Sequence, residues 1–62
     1  MLLVNYSIDG VRKETECVNA SWDSNLNRLT LETIAVTHKD GSYMSKYEYI
    51  TNPESFVVKE KV

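Results

Sequence analysis

Sixty-two residues, with seven basic and nine acidic side chains and a single cysteine and histidine, make one domain spanning 1–62 with a thin core. A lone cysteine excludes an intrachain disulfide, and no Cys/His cluster offers tetrahedral metal ligands, so no metal or other cofactor is expected. The interspersed, slightly acidic charge lacks the concentrated cations with which DNA binders displace phosphate counterions, and it gives no pull toward an anionic membrane.

The opening Met1-Leu2-Leu3-Val4 has no basic segment ahead of it and yields to Asn5 too soon for a secretory signal. No apolar stretch is long enough to span a bilayer. Together with the free Cys17, these features predict a cytoplasmic protein, in which the glycosylation-like triplets at Asn5 and Asn19 are fortuitous.

Two Asp-Gly pairs, Asp9-Gly10 and Asp40-Gly41, lie between runs containing apolar residues, a strong short-range hairpin signal. A two-residue turn at Asp9-Gly10 sets Ile8 opposite Val11, Tyr6 opposite Lys13, Val4 opposite Thr15 and Leu2 opposite Cys17 on one face. The other face then carries Leu3, Asn5, Ser7, Arg12, Glu14 and Glu16, a clean division into apolar and polar sides.

Past Cys17 the pattern changes phase. Val18, Ala20 and Trp22 occupy the parity that held Glu14 and Glu16, which requires a bend or a bulge. A helix over 11–22, with Val11, Thr15, Val18 and Trp22 as its stripe, is the rival reading, but Gly10 and Val11 make a poor first turn. Residues 23–27 form a polar loop in which Leu26 folds back as a small plug.

A third strand starts near Arg28 and shows a second phase shift, from Leu29 and Leu31 to Ile34 and Val36. A two-residue turn at Asp40-Gly41 pairs it with 43–50, setting His38 opposite Tyr43, Val36 opposite Ser45, Ile34 opposite Tyr47 and Glu32 opposite Tyr49. On that face Ile34 and Val36 direct Tyr47 toward the core, and on the reverse face the register sets Leu31 opposite Ile50.

Pro53 breaks the strand because it has no amide hydrogen to give a ladder. Phe56, Val57 and Val58 begin a last strand that ends in Lys59-Glu60-Lys61-Val62. The β-branched pair favours strand there over a helix capped by Asn52.

These elements predict a mostly β domain: a five-stranded antiparallel meander, strongly coiled or an SH3-like half-open barrel. The phase shifts are what a bent strand shows when both of its halves reach the core. The alternatives are an α+β domain with one short helix on a small antiparallel sheet, and a flat sheet that buries one face in a dimer.

Chemistry is sparse. His38 stands one residue from a hairpin turn, where a cross-strand pair with Tyr43 accounts for it. Cys17 faces inward beside Leu2 and Val4, away from any activating base. Glu14 and Glu16 share a strand face, but a domain this small has no cleft to tune them. They read as a solvated face or an acidic contact patch. Neither glycine belongs to a phosphate-binding loop. No catalytic residue is expected.

Tyrosine is the unusual feature, with Tyr43, Tyr47 and Tyr49 on a single face of one strand. Tyrosine suits strands for structural reasons, but it is also favoured at protein contacts. The expected function is therefore a non-enzymatic, protein-binding or regulatory accessory domain, with Tyr43, Tyr49, Glu14 and Glu16 as candidate contacts. Such economy suits an accessory protein of a phage or mobile element. One alternative is a small nucleic-acid-binding barrel using Arg12, Lys13, Lys39 and Lys46 with stacking on tyrosine. The other is a homo-oligomeric structural subunit, in which the partner is a second copy.

Overall fold

The computed structural model describes residues 1–61; Val62, at the end of the expected last strand, lies outside the described residues. It contains six strands: β1 (Leu2–Ile8), β2 (Val11–Cys17), β3 (Asn19–Asp23), β4 (Arg28–Thr37), β5 (Tyr43–Thr51) and β6 (Ser55–Glu60). No described residue is helical, so neither helix alternative forms, and no helix is present that could cross a membrane.

The strands make two antiparallel three-stranded sheets, ordered β2-β1-β6 and β3-β4-β5. This is six strands rather than the expected five, and the sheets do not close into a barrel. The difference arises at Val18. The long second strand divides there, leaving the first sheet after Cys17 and entering the second at Asn19, while the Val18 amide donates to the Glu32 carbonyl at 2.7 Å. The phase change from Cys17 to Ala20 and Trp22 is the chain passing from one sheet to the other. Cys17 turns into the core from the first sheet and Ala20 packs against it from the second.

The β1–β2 hairpin has the expected register residue for residue, from Leu2 with Cys17 to Ile8 with Val11. Asp9 and Gly10 both take positive φ, 52° and 75°, as a type I′ turn demands. On the other side of β1, β6 pairs Tyr6 with Phe56 and Val4 with Val58.

The β4–β5 hairpin turns differently. His38 and Ser42 pair through a 2.8 Å bond from the His38 amide to the Ser42 carbonyl, and the Gly41 amide returns to the His38 carbonyl at 3.2 Å. Three residues, Lys39 to Gly41, thus form the loop, and only Gly41 has positive φ, at 91°. The pairing sums differ from the expected register by one residue here and by one more at a bulge between Ile34 and Val36. Ile50 therefore faces Leu29 rather than Leu31, and Glu32 rather than Ile34 faces Tyr47. The two corrections together shift the pairing by two, so Leu29, Leu31 and Ile50 still share the inner face.

Val4, Cys17, Leu29, Leu31 and Ile50 form the buried core, with Leu2, Tyr6, Ile8, Ala20 and Phe56 packed around it. Trp22 of the second sheet meets Phe56 of the first at 4.9 Å between ring centroids. Nearby, Asn27 and Asn52, with φ of 51° and 56°, tie their loops together: the Asn52 amide donates to the Asn27 carbonyl at 2.8 Å, and Asn27 Nδ2 donates to Asn52 Oδ1 at 2.7 Å. Asp23 Oδ1 accepts from the Asn25 and Leu26 amides in the β3–β4 loop, and Leu26 points outward rather than plugging the core.

Candidate protein-contact surface

β4 has ten residues, and its neighbour β3 has five. β3 ends its pairing with β4 at Glu32, so the stretch from Ile34 to Thr37 has a strand on one side only, β5. At about 3.3 Å per residue β4 reaches roughly 33 Å, most of the 39 Å long axis of the molecule. The far half of the β4–β5 hairpin is therefore a two-stranded ribbon standing clear of the core.

Burial follows this geometry. Along β4, Leu29, Leu31 and Thr33 are buried, and every residue from Ile34 to Thr37 is exposed. Along β5 only Ile50 is buried. Alternation places Met44, Lys46, Glu48 and Ile50 on the inner side of β5, and Tyr43, Ser45, Tyr47 and Tyr49 on the outer side. The bulge puts Val36 beside Met44 on the inner side and leaves Ile34 beside Ser45 on the outer side. Apolar side chains are thus exposed on both sides of the ribbon.

The tyrosines make an outer row interrupted only by Ser45, with Tyr43, Tyr47 and Tyr49 exposed by 45%, 59% and 58%. This corrects the expectation that Tyr47 turns toward the core: the core ends at Thr33, and the side of β5 bearing Tyr47 faces away from it. The Arg28 guanidinium lies 4.7 Å from the Tyr49 ring centroid, a cation–π contact that holds one end of the row. Beside Tyr47, Asn19, Ser21, Thr30 and Glu32 line an open depression of about 90 Å³, small beside the ~300–1,000 Å³ of ordinary ligand pockets.

Glu14 and Glu16 do lie on the outer face of the first sheet, both exposed. Lys61 forms an ion pair with Glu16, while Glu14 borders an open trough of about 420 Å³ with Asn5, Arg12, Val57 and Lys59. Cations intersperse the two carboxylates, so the patch is mixed in charge rather than acidic.

The four cations considered for phosphate contact do not share a surface. Arg12 and Lys13 are successive residues of β2 and project to opposite faces of the first sheet. Lys39 sits at the β4–β5 loop, and Lys46 lies on the inner side of β5 with its ammonium 3.7 Å from Glu48.

His38 is exposed at the loop and pairs with Ser42, not with Tyr43 as the two-residue turn required. Cys17 is fully buried opposite Leu2, and desolvation pushes its thiol pKa up, against a smaller lowering by the N-terminal ammonium. The thiol is thus neutral and poorly nucleophilic at neutral pH. Asp40 is held below the usual carboxylate range by hydrogen bonds from the Ser42 hydroxyl and amide. Among the described residues no group of three His, Cys, Asp or Glu side chains could hold a metal ion.

Alternation in the sequence marks the tyrosine row but not the exposure of the ribbon behind it. The usable signal is strand length: Asn19–Asp23 is too short to cover Arg28–Thr37. What fold and surface define together is an open, two-sheet antiparallel β protein with a projecting ribbon. No protein-family model matches the chain, and no curated protein or solved structure matches it either.

Proposed function

We propose that this chain is a non-enzymatic protein-contact domain that engages its partner through the outer side of the β4–β5 ribbon. The observation carrying this reading is the row of Tyr43, Tyr47 and Tyr49, each about half exposed, on the side of β5 that faces away from the core. Tyrosine brings large contact area, a polar tip and little rotamer entropy, which is why it concentrates at binding hot spots. Ile34 adds apolar area on the same side, and Arg28 steadies Tyr49. The unpaired outer edge of β5 adds main-chain hydrogen-bonding groups. The free Cys17 suits a reducing, cytoplasmic setting.

The test is binding to an immobilised chain in extract of the cells that express it, comparing wild type with a Tyr43→Ser/Tyr47→Ser/Tyr49→Ser variant. All three side chains are exposed, so circular dichroism should report an unchanged sheet. Saturable binding by wild type that falls about tenfold or more in the variant is expected, one such tyrosine commonly contributing a factor of ten. Equal binding by both chains would remove the tyrosine row from the interface.

A further inference from the structure

The edge of β5 has a self-complementary side-chain order. Resting on the contact reading above, we propose that the partner is a second copy of this chain, joined antiparallel through β5 with Tyr47 at the two-fold axis. The second sheet then continues across the dimer, in the order β3-β4-β5 and back through β5-β4-β3 of the other copy.

An isologous contact between two identical edge strands fixes each pair of facing residues once its centre is chosen. Centring on Tyr47 sets Lys46 opposite Glu48 of the second copy, and Glu48 opposite its Lys46. The same register sets Met44 opposite Ile50 on the inner side. On the outer side it sets Ser45 opposite Tyr49 and Tyr43 opposite Thr51, so that each tyrosine except the central one faces a smaller residue. Within one chain the Lys46 ammonium already lies 3.7 Å from Glu48, with both side chains about half exposed. The same two groups on a facing copy make two further opposite-charge contacts by symmetry.

Neighbouring registers lack this match. Centring on Lys46 or Glu48 sets like charges directly opposite each other, and centring on Ser45 sets Lys46 against Met44. A lysine on an edge strand ordinarily discourages pairing with strangers. Here Glu48, two residues on, makes one self-pairing register acceptable while leaving Lys46 to oppose others.

β5 is accessible for this contact. Among the described residues it has β4 on one side and no strand on the other, and eight of its nine residues are exposed. Pairing also covers the ribbon, since an isolated two-stranded hairpin is only marginally stable in water.

The experiment is sedimentation velocity of the full chain up to roughly millimolar concentration, a range that includes weak small interfaces. Lys46→Glu and Glu48→Lys are run separately, as an equimolar mixture, and combined in one chain. A wild-type dimer is expected. Each single substitution puts like charges opposite each other twice and should weaken association roughly tenfold or more. The mixture and the double variant bring acid against base again and should recover the dimer. Circular dichroism of each variant controls for folding.

A dimer indifferent to these charges overturns the β5 register. A wild-type chain monomeric throughout overturns self-pairing altogether. In that case tyrosine-dependent binding in extract would assign the surface to a different protein and leave the contact reading standing. Loss of both signals would overturn both.

Discussion

The Gly10 amide donates a 2.6 Å hydrogen bond to Glu54 Oε1, linking the β1–β2 turn to the β5–β6 loop across 44 positions of sequence. The Glu54 amide donates in turn to the Ser7 carbonyl at 2.8 Å. One residue thus holds the mouth of the first hairpin at two points, by side chain and by backbone. Only the first of these is removed by truncating the side chain.

Glu54→Ala should therefore destabilise the fold by about 1 kcal/mol, less than the ~1.5–3 kcal/mol of a hydrogen bond to a charged group, because the site is exposed. Glu54→Gln keeps an acceptor and should lose less than half of that. Urea denaturation of the three proteins checks the order. A Glu54→Ala midpoint equal to wild type would mean that water replaces the carboxylate without loss.

Thr33 ends the buried run of β4, and among the described residues its hydroxyl has no hydrogen-bond partner. An unmade hydrogen bond in a buried site costs about 1–3 kcal/mol, and valine has the same branched shape without the hydroxyl. Thr33→Val should raise stability by roughly 1 kcal/mol, or about 4–8 °C in melting temperature for a chain of this size. A lowered melting temperature in a thermal scan would show that the hydroxyl is solvated after all.

Comparing the two Asp-Gly turns shows what the sequence made legible. Asp9-Gly10 was readable in full because Val11 follows it and nothing local competes for Asp9, so the dipeptide takes its two-residue turn. Asp40-Gly41 is followed by Ser42, whose hydroxyl and amide both donate to Asp40 Oδ1, at 2.6 Å and 2.9 Å. That local capture fits the three-residue loop and moves the register by one. The phase shifts at Val18 and between Leu31 and Ile34 were also visible as breaks in alternation. The first is a passage between sheets, which depends on strands distant in sequence; the second marks the end of the core, with Ile34 exposed on the outer side and the bulge lying after it. Tyr43 and Tyr49 were marked as contacts from alternation alone. Tyr47 was misplaced because the inward fate of Ile34 and Val36 was assumed. Both side chains are exposed, and the bulge sends them to opposite sides.

Cys17 is expected to make stability fall in alkali. Burial raises the folded thiol pKa above that of the unfolded chain, near 8.5. The associated stabilisation is then complete below the unfolded value and is lost as pH rises through the folded one. The urea midpoint should decline above about pH 8.5, more steeply than in a Cys17→Ala variant. Alkylation by iodoacetamide offers a second readout: it should be slow in the native protein and fast in urea. Equal rates would place the thiol at the surface.

Asp40 works in the opposite direction, at the tip of the ribbon that carries Tyr43. Its carboxylate accepts the Ser42 hydroxyl and amide, which lowers its pKa in the folded chain. A depressed carboxylate pKa contributes stability that is present above the unfolded value, near 3.9, and is lost as pH falls through the lower folded value. Acid should therefore loosen the loop. The Ser42 amide chemical shift should titrate with a midpoint below that of an unstructured aspartate, and Asp40→Asn should abolish the step. Because Ser42 adjoins Tyr43, the Tyr43 ring resonances should change over the same interval. A midpoint at or above the ordinary aspartate value would detach the loop from Asp40, leaving the Gly41 to His38 bond as the contact that sets the turn.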